Sequence, residues 1–155
     1  MRFFTHAWWS APDAQGKDAA FKDYERHWKT VRHFLPDAAP EFEAAHTLHD
    51  ARLRSAVHDT HAGTLVLELD GWDAAFASRV AIVLRFSGVR LFSQRLPDGG
   101  ATIDPADDVG YWEWDWTGDA LELRMLFASA AELRVVATRF DFSVERAQES
   151  AVGAT

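Results

Sequence analysis

The hydrophobic pattern of this chain changes period near Asp50. Before that point Phe21, Tyr24, Trp28, Val31 and Leu35 recur at helical spacing. After it Leu65, Leu67 and Leu69, and later Trp112, Trp114 and Trp116, recur at every second residue, the spacing of strands with one buried face. The pattern predicts an α+β fold: N-terminal helices packed on a curved or partly closed antiparallel sheet of about six strands. Residues 1–146 are expected to form a single domain. The small, polar stretch 147–155 is expected to be a disordered tail.

Within that frame, Phe3, Phe4, Trp8 and Trp9 are too apolar for a loose terminus and predict a docked segment. Ser10-Ala11-Pro12-Asp13 reads as a turn and helix start. The main helix is expected from Lys17 to Phe34, stopped by Pro36, with Lys22, Asp23, Glu25, Arg26 and Lys29 on its wet face. A shorter helix should begin near Pro40 and turn Phe42 and Ala45 inward. Arg52–His58 and Thr64–Asp70 read as one hairpin around Asp59-Thr60-His61-Ala62-Gly63. Arg79–Phe86 and Val89–Leu96 read as two strands. In the second hairpin, Tyr111–Trp116 and Ala120–Phe127, a Gly118-Asp119 loop sets the register: Trp116 opposite Leu121, Trp114 opposite Leu123, Trp112 opposite Met125 and Glu113 opposite Arg124. The last strand, Glu132–Glu145, changes apolar parity between Val135 and Val136, which predicts either a bulge there or burial on both faces.

Composition narrows the classes of function. With 48% apolar residues, seven Trp and eleven Phe, the chain has material for a core and falls outside the disordered class. It has no Cys, so disulfides, thiolate catalysis and cysteine-ligated zinc are excluded. Polar residues break the opening Met1-Arg2-Phe3-Phe4-Thr5-His6 before a signal-peptide run can form, and no stretch approaches the roughly 18 apolar residues of a membrane helix. A soluble cytoplasmic protein without a membrane partner is the expectation. The net charge of −8 is uneven, because residues 101–155 carry four basic and eleven acidic side chains and so supply −7 of it. That field disfavours nucleic acid as a partner.

All seven histidines lie in the first 61 residues, and the tightest group is His46-Thr47-Leu48-His49-Asp50. If the short helix continues through it, His46, His49 and Asp50 share one face and can hold a zinc or iron ion. A divalent metal at these three residues, in a metal-dependent hydrolase, is therefore one functional alternative; otherwise no cofactor is expected. The bland reading is a helix C-terminus where imidazoles meet the negative end of the dipole and Asp50 bonds local backbone. The acidic run offers a different chemistry. Asp104, Asp107, Asp108, Glu113 and Asp115 can meet a basic protein partner, although the run lacks the spacing of a calcium loop. Its bland reading is a solvated loop guarding an edge strand. The Trp112, Trp114 and Trp116 stripe faces Leu121, Leu123 and Met125 and reads as core. No Gly-x-Ser-x-Gly elbow, dinucleotide fingerprint or P-loop is present, so no catalytic motif rises above background.

Met1-Arg2-Phe3-Phe4-Thr5-His6-Ala7-Trp8-Trp9, and Leu48-His49-Asp50-Ala51 just before the first hairpin, resemble small bacterial proteins classed as domains of unknown function. The Leu-His-Asp-Ala-plus-hairpin layout also resembles immunity proteins of toxin systems. The resemblance spans roughly the first 70 residues. It implies a bacterial cytoplasmic protein and transfers no catalytic residue. Together these readings predict a binding or interaction module with an acidic surface, facing a basic protein.

Overall fold

The change of period becomes a change of secondary structure. The computed structural model describes residues 1–146, where α1 (His6–Ser10), α2 (Ala14–Val31) and α3 (Ala38–Ala45) precede six strands. These are β1 (His46–Asp59), β2 (Thr64–Asp73), β3 (Arg79–Arg95), β4 (Val109–Trp116), β5 (Leu121–Phe127) and β6 (Glu132–Arg146). The tail expected at 147–155 lies outside the described residues.

Helix starts follow capping chemistry. Thr5 Oγ1 accepts from the Trp8 N–H at 3.1 Å, and the Asp13 carboxylate accepts from the N–H groups of Gln15 and Gly16 at 3.0 and 3.2 Å. Asp13 thus starts α2 earlier than the hydrophobic stripe suggested. The stripe is also buried unevenly. Val31 and Leu35 are buried, Tyr24 and Trp28 are half-buried, and Phe21 stays 48% exposed. Phe21 packs instead on Phe4 and Trp8, with ring centroids 5.2 and 5.6 Å apart. In α3 Phe42 is buried as expected, while Ala45 is exposed.

The sheet is wholly antiparallel in the order β1-β2-β3-β6-β5-β4 and curls into a half-barrel. Its two edge strands touch through an isolated bridge between Arg52 and Asp108. The β4–β5 register is the one the turn chemistry dictates, with Trp112, Glu113, Trp114 and Trp116 opposite Met125, Arg124, Leu123 and Leu121. Two readings need correction. Arg79–Arg95 is a single strand rather than two, because Gly88 bridges them at φ +62°. The extra residue is also on β3, between Val89 and Leu91, not on β6. The parity of β6 changes between buried Ala137 and buried Phe140, opposite Gly88, and Val136 is half-buried while Val135 points inward. One buried cluster joins Leu65, Leu67, Leu69, Ile82, Leu84, Trp114 and Leu123 of the sheet with Val31, Leu35, Ala39 and Phe42.

Candidate functional site

The helix that would have gathered His46, His49 and Asp50 ends at Ala45. His46 is already extended, at φ −137° and ψ 165°, and β1 begins there. Strand geometry sends successive side chains to opposite faces, so the three residues do not share the helical face that a metal site required. The His46 ring packs on Phe42 and Phe142, at 5.6 and 5.9 Å, and its Nδ1 is buried without a hydrogen-bond partner. His49 Nδ1 lies 2.9 Å from the Gly110 carbonyl oxygen, which a protonated Nδ1 satisfies. Asp50 sits at φ +58° in the irregular stretch between Thr47 and Arg52, a left-handed conformation that Asp tolerates. Its carboxylate is 3.8 Å from His49 Nε2. Among the described residues no three His, Asp or Glu side chains come together as a metal site.

The five acidic residues separate into two groups. Glu113 is 1% exposed, so it cannot present a charge to a partner. Its carboxylate accepts from three consecutive N–H groups, Arg2 at 2.8 Å and Phe3 and Phe4 at 2.7 Å, which ties the N-terminal segment across β4. Asp115 is likewise engaged, within 3.3 Å of both Arg124 and His27. Arg124 also reaches Glu113 and Glu122, and Glu122 holds Arg134. Alternation had marked this face as solvent-facing, but the N-terminal segment covers it. The other three acids stay at the 104–108 loop. Asp107 accepts from the Ser129 N–H at 3.1 Å and from its hydroxyl, fixing the loop. Asp108 pairs with Arg52 at 2.8 Å. Asp104 is exposed, accepts from the Ala106 N–H at 2.8 Å, and makes no ion pair among the described residues.

This loop forms one wall of a cleft of about 1010 Å³, whose other walls are β1, β2 and the start of β3. Arg54 pairs with Asp70 at 2.6 Å, and the Arg79 guanidinium lies 5.0 Å from the centroid of the Trp72 ring. Phe76 stands at the cleft 45% exposed and at φ +55°. A left-handed Phe costs about 1–2 kcal/mol. The turn holds it there, with the Phe76 N–H donating to the Asp73 carbonyl and the Ala77 N–H to the Asp73 carboxylate, at 3.0 and 2.8 Å. Its ring lies 6.0 Å from that of His49 and 6.3 Å from that of Trp72. Phe76 is not among the candidate residues that the sequence pattern singles out. The available signal was a lone Phe in the Ala-rich connection after β2, four residues beyond Trp72.

A second cluster lies beside the core. Trp112 and Trp114 both donate their indole N–H to Glu43 Oε1, each at 2.7 Å. Burial pushes the Glu43 carboxyl up to about 7, against the pull of those two donors. Tyr24 Oη accepts from the Trp114 N–H at 2.9 Å, and burial, reinforced by Glu43, holds the phenol well above its ordinary range.

No protein-family model matches this chain, and no curated protein matches it. A crystal structure of an uncharacterized protein from Neisseria gonorrhoeae aligns with it at a TM-score of 0.45 and 14% identity, over 63% of this chain and 93% of that one.

Proposed function

We propose that this chain is a protein-binding module, immunity-like in role, that meets a basic protein in the bacterial cytoplasm through the Phe76 cleft. In this reading α2 and α3 plug the open side of the half-barrel, supported by Val31, Leu35, Ala39 and Phe42 in the shared core. The cleft beside the C-terminus of α3, where the Ala74 N–H donates to the Ala45 carbonyl at 3.0 Å, is left for a partner. The observation that carries the proposal is Phe76, a large apolar ring held exposed at a costly backbone conformation. Exposed aromatic anchors in polar surroundings are where binding energy concentrates. Around it, Arg52, Arg54, Asp70 and Asp108 neutralise one another in pairs, whereas Asp50 and Asp104 pair with no Arg or Lys among the described residues. Arg79, which makes no ion pair among the described residues, offsets one of these two carboxylates, so the lining keeps one excess negative charge that favours cationic groups, and the −8 net charge steers a basic protein towards it.

The test is affinity capture from the protein's own host at low salt, run with the wild type, Phe76→Ala and an Asp50→Lys, Asp104→Lys double variant. The wild type should retain a basic protein that elutes as salt rises, and both variants should lose it. Capture by both variants at the wild-type level sinks the proposal.

A further inference from the structure

Four arginines converge on a pocket of about 450 Å³ over β3, β5 and β6, on the face of the sheet away from the core. Arg95, Arg124 and Arg134 come from the three strands and Arg2 from the N-terminal segment, and among the described residues Glu132 is the one acid in the lining. Strand register creates the cluster. Arg124 and Arg134 stand directly opposite one another across β5 and β6, a like-charge pair that disfavours the sheet. Glu122 holds the two together: its Oε1 accepts from the Nε–H of Arg124 at 2.8 Å and from that of Arg134. Glu122 is itself buried, which adds the cost of desolvating its carboxylate. Departures from local pairing rules of this kind are expected where a surface has a function.

The charges are layered. Glu113, Asp115, Glu122 and Glu132 match the four arginines in number, but Glu113 and Glu122 are buried beneath them and Asp115 is largely covered. The side chains of Arg95 and Arg2 are 77% and 59% exposed. An anion arriving from solvent therefore meets guanidinium groups before it meets any carboxylate except Glu132. Donors also remain. Among the described residues Arg134 engages only its Nε and Arg95 only its Nη2, while Arg2 Nη1 is 3.7 Å from Asp115, too far to bond. Free guanidinium edges fit the paired oxygens of a phosphate. The volume suits a small molecule, and no aromatic ring lines the pocket to stack a base. We infer that Arg2, Arg95 and Arg134, backed by Arg124, bind a small, multiply charged phosphate anion. This pocket shares no residue with the Phe76 cleft and does not depend on that reading.

The test is a titration with inorganic pyrophosphate at fixed ionic strength, followed by NMR of backbone amides and arginine Nε–H groups, with circular dichroism reporting the fold of each variant. Saturable shifts should be confined to Arg2 and to the pocket segments 93–95, 124 and 132–134. Arg95→Gln removes an exposed guanidinium, and Arg134→Lys keeps a cation beside Glu122 but loses the fork. Each should weaken binding about tenfold or more. Arg26→Gln, which removes an exposed guanidinium paired with Asp23 outside this pocket, should bind like wild type. Inorganic phosphate should shift the same residues at about tenfold or more lower affinity, because it offers fewer oxygens to the converging guanidinium groups. No saturable shift up to about 10 mM, shifts scattered over the surface, or pocket variants that bind like wild type would each overturn the inference. An Arg26→Gln variant weakened as much as the pocket variants would overturn it too, since the binding would then follow charge alone.

Discussion

Glu43 makes the fold itself titrate. Its Oε1 accepts both indole N–H groups, from Trp112 and Trp114 at 2.7 Å, an arrangement that the carbonyl oxygen of a neutral acid satisfies with its two lone pairs. Burial raises the carboxyl from 4.5 to about 7, so the folded state holds this proton more tightly than the unfolded chain does. The stabilisation is therefore fully present below about pH 4.5 and is lost as pH rises through about 7. A span of roughly 2.5 pH units at about 1.4 kcal/mol per unit sets a ceiling of about 3 kcal/mol. Glu43 as a residue is only half-buried, and water on its open side screens the charge, so about 1–3 kcal/mol is expected.

The matched variant is Glu43→Gln, whose amide oxygen accepts both indoles at every pH. Urea unfolding followed by tryptophan fluorescence from pH 4.5 to 8 gives the stability of both proteins. Taking their difference cancels the histidines and the other carboxylates. The two should match near pH 4.5, and the Gln variant should be more stable by about 1–3 kcal/mol at pH 8, a rise of about 2–10 °C in melting temperature. A pH-independent difference, or a Gln variant less stable at pH 8, would refute the claim that Glu43 is neutral in the fold.

Three further outcomes follow from the geometry. Glu113→Ala leaves three backbone N–H groups and part of Arg124 unpaired, and should cost about 3 kcal/mol in denaturant unfolding while freeing the N-terminal segment to hydrogen exchange. Gly88→Ala places a Cβ 2.0 Å from Thr138 Oγ1 at φ +62°, and should cost about 2–4 kcal/mol by the same assay. Because His46, His49 and Asp50 do not converge, EDTA should leave the melting temperature unchanged, and zinc added to protein without a histidine tag should bind weakly and substoichiometrically.

The sequence was most legible where local chemistry and tertiary structure agree. In the β4–β5 hairpin, Gly118-Asp119 can only turn, and the Trp and Leu alternation fixes the buried face, so the register followed to the residue. It was least legible where a local signal has two uses. Gly88 reads as a strand end, but serves as a left-handed step inside β3 against Thr138. His46 to Asp50 reads as a helix end, but His46 and Thr47 pair with β2 and the register break that follows carries Asp50 into a left-handed kink. At the candidate site, alternation placed Glu113 and Asp115 outside. That was true of the sheet face and false of its exposure, because Met1 to Phe4 fold back over it through contacts some 110 residues apart in sequence. Glu43 was hidden for a similar reason: its partners are indoles from a strand about 70 residues later. Asp104 is exposed and Asp108 is half-buried and paired with Arg52, whereas Phe76 emerges only once the turn geometry is known.

The claim on which the account rests is that a basic protein is recognised at the Phe76 cleft. Its most direct measurement is the association and dissociation of the captured partner on immobilised wild type, Phe76→Ala and Asp50→Lys, Asp104→Lys, each over a range of salt. Phe76→Ala should accelerate dissociation about tenfold or more, as loss of an aromatic anchor does. The double variant should slow association and flatten its dependence on salt. Rates for both variants equal to wild type at every salt concentration would contradict it.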